Sequence, residues 1–111
     1  MDFRTRWHIL VVTGALLAPQ VSVAGATPEI VARGHSILTE KCARCHAIER
    51  QGASPLPIAP PFRDLHKKYP IAAIAEALAE GIVTGHPEMP NTPFVQDDID
   101  AIIGYIESLT P

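Results

Sequence analysis

The sequence is poor in cysteine, in aromatic residues and in positive charge. Only two of its 111 residues are cysteine and only six are Trp, Tyr or Phe. Cys42 and Cys45 are too close together to close a stabilising disulfide loop, which excludes a disulfide-rich scaffold. The formal net charge is −3, so the composition gives no electrostatic reason to bind nucleic acid or an anionic membrane.

The one long apolar run lies at the N-terminus and is too short for a membrane-spanning helix. Residues 7–18 are apolar with two exceptions, whereas a spanning helix needs about 20 apolar residues. Two arginines precede the run, and a proline and small residues follow it, which is typical of a secretory signal peptide. We therefore predict that residues 1–24 form a signal peptide, with cleavage after Ala24 or Ala26. An uncleaved N-terminal anchor is the alternative.

The remaining chain, residues 25–111, is short for a stable domain. It has 87 residues, no tryptophan, and seven Lys or Arg against eleven Asp or Glu, a net charge of −4. A chain of this size buries only about 60–65% of its unfolded surface. Since two cysteines cannot provide the several disulfides that often stabilise small exported domains, we expect another component to complete its core. We see no internal repeat and expect one domain.

Three amphipathic helices are predicted, and no strand. They begin near Thr27, Pro70 and Asp97. The first start is the clearest, because a capping hydroxyl, a proline and an acidic residue follow one another there. Two irregular loops, 52–61 and 83–93, are rich in proline. The predicted fold class is therefore all-α.

Both cysteines lie in the segment Cys-Ala-Arg-Cys-His at residues 42–46. Side chains three and four positions apart project from one face of a helical turn, so Cys42, Cys45 and His46 are expected to point the same way. This spacing is the signature of covalent attachment of haem c, with the histidine as the proximal iron ligand. A thioredoxin-like redox pair would need a preceding strand, and structural zinc would need a fourth ligand. A simple disulfide is the remaining alternative.

Met89 is the candidate for the distal iron ligand. It is the one methionine after the predicted signal peptide, and it lies between prolines rather than on an apolar helix face. Prolines restrict a loop before folding, which suits a weak ligand that must be held in place. His86 and an open coordination position are the alternatives. His35 and His66 are expected to face solvent.

The ligand pair His46 and Met89 determines the expected chemistry. A thioether is a weak donor that favours ferrous iron, so this ligation raises the reduction potential of a haem. Two protein ligands also leave no coordination position for a substrate or for O₂. The sequence therefore predicts an electron-transfer protein and not an enzyme. A sensor or peroxidase that releases Met89 is an alternative.

Over residues 29–110 the sequence resembles the class I c-type cytochromes, the small soluble bacterial monohaem proteins related to mitochondrial cytochrome c. The resemblance rests on the motif at 42–46, on Glu-Met-Pro at 88–90, and on a glycine and an aromatic residue that match the family's helix crossing, Gly34 and Tyr105. It implies that the N- and C-terminal helices cross, and that a third helix and two loops surround one covalent haem.

The resemblance also implies how the haem site is supported. Residues 59–65 are similar to the loop in which a proline carbonyl accepts a hydrogen bond from the ligating histidine. By this match Pro60 is the acceptor for His46, and Phe62 packs under the haem. The tryptophan that anchors the haem propionates in the mitochondrial form has no counterpart in residues 25–111. Candidates to replace it are Arg63, Lys67, Lys68 and Tyr69.

Together, the resemblance and the signal peptide predict a periplasmic electron carrier. The donor would be a dehydrogenase or a cytochrome complex, and the acceptor an oxidase, a reductase or another cytochrome. We expect a monomer that meets its redox partner proteins transiently, without membrane insertion of the mature chain. A cytochrome subunit dedicated to one dehydrogenase is the alternative. Without haem, the chain is expected to be largely unfolded.

Overall fold

The regular structure of the chain is helical. The computed structural model describes residues 14–15, 17–19, 25–82 and 88–111. Its elements are α1 (Pro28–Lys41), a 3₁₀ helix (Phe62–Lys67), α2 (Ile71–Glu80) and α3 (Gln96–Leu109). These ranges contain no strand, so the predicted all-α class is confirmed. The described residues also include no helix of the length and hydropathy needed to cross a membrane.

Two predictions fall on the other residues. Most of the predicted signal peptide, residues 1–24, lies outside the described ranges. The same is true of residues 83–87, which include the alternative ligand His86. Both therefore remain predictions from the sequence.

The start of α1 follows the capping signals of the sequence. The Thr27 hydroxyl oxygen accepts a hydrogen bond from the Ile30 amide at 3.4 Å, and Pro28 occupies the first turn, where no amide donor is needed. At the other end, the Cys42 amide donates to the Leu38 carbonyl at 2.8 Å. The helix therefore leads directly into the motif at 42–46.

The crossing of α1 and α3 is the largest contact between described elements. Gly34 lies at this crossing, and a β-carbon there would be 2.8 Å from the β-carbon of Tyr105. Glycine allows the two backbones to approach because it has no side chain. The predicted crossing of the terminal helices is confirmed.

The hydrophobic core is built mainly from one face of α3. Its buried apolar side chains are Leu38, Ile48, Phe62, Leu78, Ile99, Ile102, Tyr105, Ile106 and Leu109. Five of these belong to α3, and the others reach it from the remaining helices and from the segment after the cysteine motif. The core thereby connects that segment to both terminal helices.

Two features differ from the sequence predictions. The 3₁₀ helix Phe62–Lys67 was not predicted, because so short an element has no hydrophobic periodicity to reveal it. The expectation that His35 and His66 face solvent holds for His35, whose side chain is 43% exposed, but not for His66, whose Nδ1 is buried. Each lies on a helix that packs against α3.

Candidate haem site

Residues 42–46 form a single tight turn after α1. The carbonyl oxygen of Cys42 accepts hydrogen bonds from the amides of Cys45 (3.1 Å) and His46 (3.0 Å). Bonds to the third and fourth residues are those of a helical turn, which places the three side chains on one face. The Leu56 amide donates to the Cys45 carbonyl at 3.1 Å. The loop that follows is thereby attached to the same turn.

The two thiols are half-buried, and no disulfide joins them. Burial raises the pKa of the Cys42 thiol to about 11, and the nearby Cys45 contributes to the same increase. A redox-active cysteine needs a lowered pKa, because the thiolate is the reactive form. The environment of Cys42 therefore does not favour a thioredoxin-like redox pair.

The imidazole of His46 has a defined orientation. Its Nδ1 lies 2.8 Å from the carbonyl oxygen of Pro60. A carbonyl can only accept, so Nδ1 carries the proton, and in the neutral ring the lone pair is on Nε2. The hydrogen bond inferred from the loop at 59–65 is thus present in the structure. It leaves Nε2 as the nitrogen for a metal.

Phe62 packs against the same imidazole. The centroids of the Phe62 and His46 rings are 4.8 Å apart, with an angle of 41° between their planes. The amide of Phe62 donates to the carbonyl of Ala47 at 2.9 Å. The start of the 3₁₀ helix is therefore fixed beside His46 by both its backbone and its side chain.

Met89 lies on the connection between α2 and α3. It is half-buried and is not among the side chains that form or cover the hydrophobic core of the described residues. The two ends of the connection are held together, since the Phe94 amide donates to the Leu78 carbonyl at 2.9 Å. The loop that carries Met89 therefore has a fixed base.

Two of the four candidate propionate ligands have other partners. The guanidinium of Arg63 donates to the carbonyls of Glu49 (3.3 Å) and Gly52 (2.7 Å). The ammonium of Lys67 forms an ion pair with Asp64 at 2.6 Å. The other two candidates, Lys68 and Tyr69, are exposed.

Two features of the folded chain were not predicted from the sequence. Within the described part of the chain, Nδ1 of His66 is buried and has no hydrogen-bond partner. A cluster of His35, Glu49 and Tyr105 contacts the segment that follows His46. Neither feature belongs to a motif, and only the folded chain brings its residues together.

A family model described as Cytochrome c matches residues 31–110. The chain belongs to the cytochrome c family. The match spans nearly three quarters of the chain and includes the cysteine motif, the helix crossing and the Met89 loop. No curated protein and no solved structure matches the chain. The predicted resemblance to the c-type cytochromes is confirmed, and the small size agrees with class I.

The residues of this cytochrome fit the haem c that its family binds covalently. Two thiols on one turn provide sulfur for attachment, and a histidine oriented by a carbonyl provides nitrogen for iron. The predicted cofactor, one covalent haem c, is confirmed by the family. When bound, it supplies a one-electron iron couple. The cytochrome therefore functions in haem-based electron transfer.

Proposed function

We propose that this cytochrome is a periplasmic electron carrier with one haem c. In this proposal Cys42 and Cys45 form the thioethers, and His46 and Met89 are the axial ligands. The hydrogen bond from His46 Nδ1 to the Pro60 carbonyl carries the proposal. It leaves the lone pair on Nε2 of His46, on the same turn as the two thiols. The turn of residues 42–46 therefore provides both the sulfur atoms for haem attachment and the nitrogen for iron.

The two proposed axial ligands have opposite effects on the reduction potential of the haem. The bond to Pro60 makes the His46 imidazole a stronger donor, which stabilises ferric iron. A thioether from Met89 is a weaker donor and stabilises ferrous iron. A methionine more often fills a gap in a core, but Met89 lies outside the core of the described residues. Its position therefore suits a ligand better than a packing role.

A carrier rather than an enzyme follows from this ligand pair. Two side chains that occupy both axial positions leave none for a substrate, so we propose no catalytic activity. A monomer would exchange electrons with a donor and an acceptor in short encounters, and weak redox interfaces of this kind bury less than about 1,200 Å². The charge of −4 on residues 25–111 makes nucleic acid an unsuitable partner.

Spectroscopy of ligand variants tests the assignment of Met89. We expect the oxidised wild-type holoprotein to show a sulfur-to-iron charge-transfer band near neutral pH. Met89→Ala should lose the band, lower the reduction potential and bind added imidazole. His86→Ala is the matched control and should retain the band. A band that survives in Met89→Ala contradicts the proposal. Rapid binding of carbon monoxide by the reduced wild type would favour a sensor or peroxidase.

Location and partners need separate experiments. The N-terminal sequence of the haem-containing protein should begin at residue 25 or 27 and identify the cleavage site. Gel filtration of a periplasmic extract should place the haem in a fraction of the monomer's size. Elution with a dehydrogenase would instead indicate a dedicated subunit.

A further inference from the structure

The backbone that follows His46 is held by a loop on one side. The Ala47 amide donates to the Ser54 hydroxyl at 3.0 Å, and the Ala47 carbonyl accepts from the Phe62 amide at 2.9 Å. With the bond from His46 to Pro60, these contacts fix the first two residues of the segment 46–49. They leave the next carbonyl, that of Ile48, to another partner.

That partner is Tyr105 of α3. Its hydroxyl donates to the carbonyl of Ile48 at 2.8 Å, and this bond is buried. The same hydroxyl is 3.3 Å from Oε2 of Glu49, and Oε1 of Glu49 is 2.7 Å from Nε2 of His35. The cluster thereby connects both terminal helices to the backbone of Ile48 and the side chain of Glu49, two and three residues after His46.

Packing at the helix crossing does not require this hydroxyl. The β-carbon of Tyr105 lies against Gly34, and its aromatic ring contacts the His35 ring, with centroids 5.1 Å apart. Phenylalanine would provide the same ring. The hydroxyl adds only the bonds to Ile48 and Glu49, and removing it would leave a buried carbonyl without its donor.

We propose that Tyr105 is a positioning residue for the axial histidine. Its hydroxyl holds Ile48 so that His46 keeps its bond to the Pro60 carbonyl. The inference rests on the proposed function, in which His46 binds the iron. Without the hydroxyl the segment relaxes and the Nδ1 bond weakens. The imidazole then donates less to iron, so the ferrous form gains relative stability.

Tyr105→Phe in the holoprotein tests this inference. We expect the one-electron reduction equilibrium to shift about threefold toward the ferrous form, which is about 28 mV at 59 mV per tenfold change. The paramagnetically shifted proton signals of the axial imidazole should move as well. Ser108→Ala is the matched control, because it removes another hydrogen bond of α3, from Ser108 Oγ to the Tyr105 carbonyl at 2.6 Å. It should change neither readout.

A purely structural role predicts a different result. Tyr105→Phe would then lower the midpoint of thermal unfolding but leave the potential and the imidazole signals as in the wild type, which would overturn the inference.

Glu49→Ala is the second variant, because it removes an exposed carboxylate and one partner of the Tyr105 hydroxyl. We expect a smaller movement of the same imidazole signals, and Glu107→Ala on α3 controls for the lost charge. Unchanged imidazole signals in Glu49→Ala would count equally against the inference.

The imidazole signals of the wild-type holoprotein distinguish a failure of this inference from a failure of the proposed function. A wild-type holoprotein in which the imidazole of His46 does not bind the iron refutes both. If the wild type shows the expected imidazole signals and Tyr105→Phe has the same signals and the same potential, only the role of the hydroxyl is refuted.

Discussion

The carbonyl oxygen of Ala101 occupies the space where a side chain of Gly34 would begin. A β-carbon built on Gly34 would lie 2.0 Å from this oxygen and 2.7 Å from the carbonyl carbon. Both are backbone atoms inside α3, so they cannot rotate away as the end of a side chain can. Because the cysteine motif follows α1 directly, the crossing at Gly34 also determines where the haem-binding turn lies.

We expect Gly34→Ala to destabilise the holoprotein by about 3 kcal/mol, since the added methyl group must push two helix backbones apart. Arg33→Ala is the control on the neighbouring residue. Arg33 forms an ion pair with Asp98 at 2.7 Å, but the arginine side chain is 54% exposed, and such pairs contribute about 0–1 kcal/mol. Urea unfolding followed by circular dichroism measures both variants. Equal losses would contradict the role given to Gly34.

The features that could be predicted from the sequence depend on local spacing or on a single residue. Helical spacing alone predicts that Cys42, Cys45 and His46 share a face. The start of α1 follows from the chemistry of Thr27 and its neighbours. Gly34 could be interpreted because only glycine permits so close a crossing of helices.

The polar cluster could not be predicted, because its members are distant in sequence. His35 and Glu49 are 14 positions apart, and the Tyr105 hydroxyl bonds to a carbonyl 57 positions away. An aromatic residue in α3 is explained by packing, so the sequence contains no signal for its hydroxyl. His66 illustrates the same limit, since burial of its Nδ1 depends on the fold around a 3₁₀ helix.

The pair of His35 and Glu49 predicts an acid-dependent loss of stability. The hydrogen bond from His35 lowers the pKa of the Glu49 carboxyl below its usual value of 4.5. A carboxyl with a lowered folded-state pKa stabilises the protein above its unfolded pKa, and this contribution is lost as the pH falls through the folded value. We expect wild type to exceed Glu49→Gln in stability at pH 5, with the difference shrinking below about pH 4.

Thermal unfolding of the holoproteins over this pH range measures the difference. His35→Ala should reduce the same acid dependence, because the hydrogen bond from His35 is the largest cause of the lowered pKa of Glu49. A difference between wild type and Glu49→Gln that stays constant from pH 5 to about pH 3 would show that the pair does not act through ionisation of Glu49.

The small core predicts that folding depends on haem. Residues 25–111 contain no cysteines other than Cys42 and Cys45, and no disulfide joins these two. We expect the double variant Cys42→Ala, Cys45→Ala, produced without haem attachment, to be largely unfolded, since the core of so short a chain is marginal without an additional stabilising component. Far-UV circular dichroism compares it with the wild-type holoprotein. Helix content equal to that of the holoprotein would contradict the prediction.

The base of the Met89 loop depends on Gly81. This residue ends α2 with φ +89° and ψ 128°, a backbone conformation that L-residues with a side chain rarely adopt. The side chain of Asn91, from the far end of the loop, lies where a β-carbon of Gly81 would be. A β-carbon on Gly81 would lie 2.0 Å from Oδ1 of Asn91. An alanine here must therefore either strain the backbone or displace Asn91, and both changes loosen the segment that carries Met89.

We expect Gly81→Ala to lose the sulfur-to-iron charge-transfer band of the oxidised protein at a lower pH than the wild type does. Gly52→Ala is the matched control, because Gly52 also has a positive φ of +97° but has open space around its α-carbon. Both substitutions cost about 1–3 kcal/mol of backbone strain, so stability alone does not separate them. Only Gly81→Ala should move the pH at which the band disappears, because Gly52 lies in the other loop. A spectroscopic titration of both variants gives the answer: if the two bands disappear at the same pH, Gly81 does not hold the methionine in place.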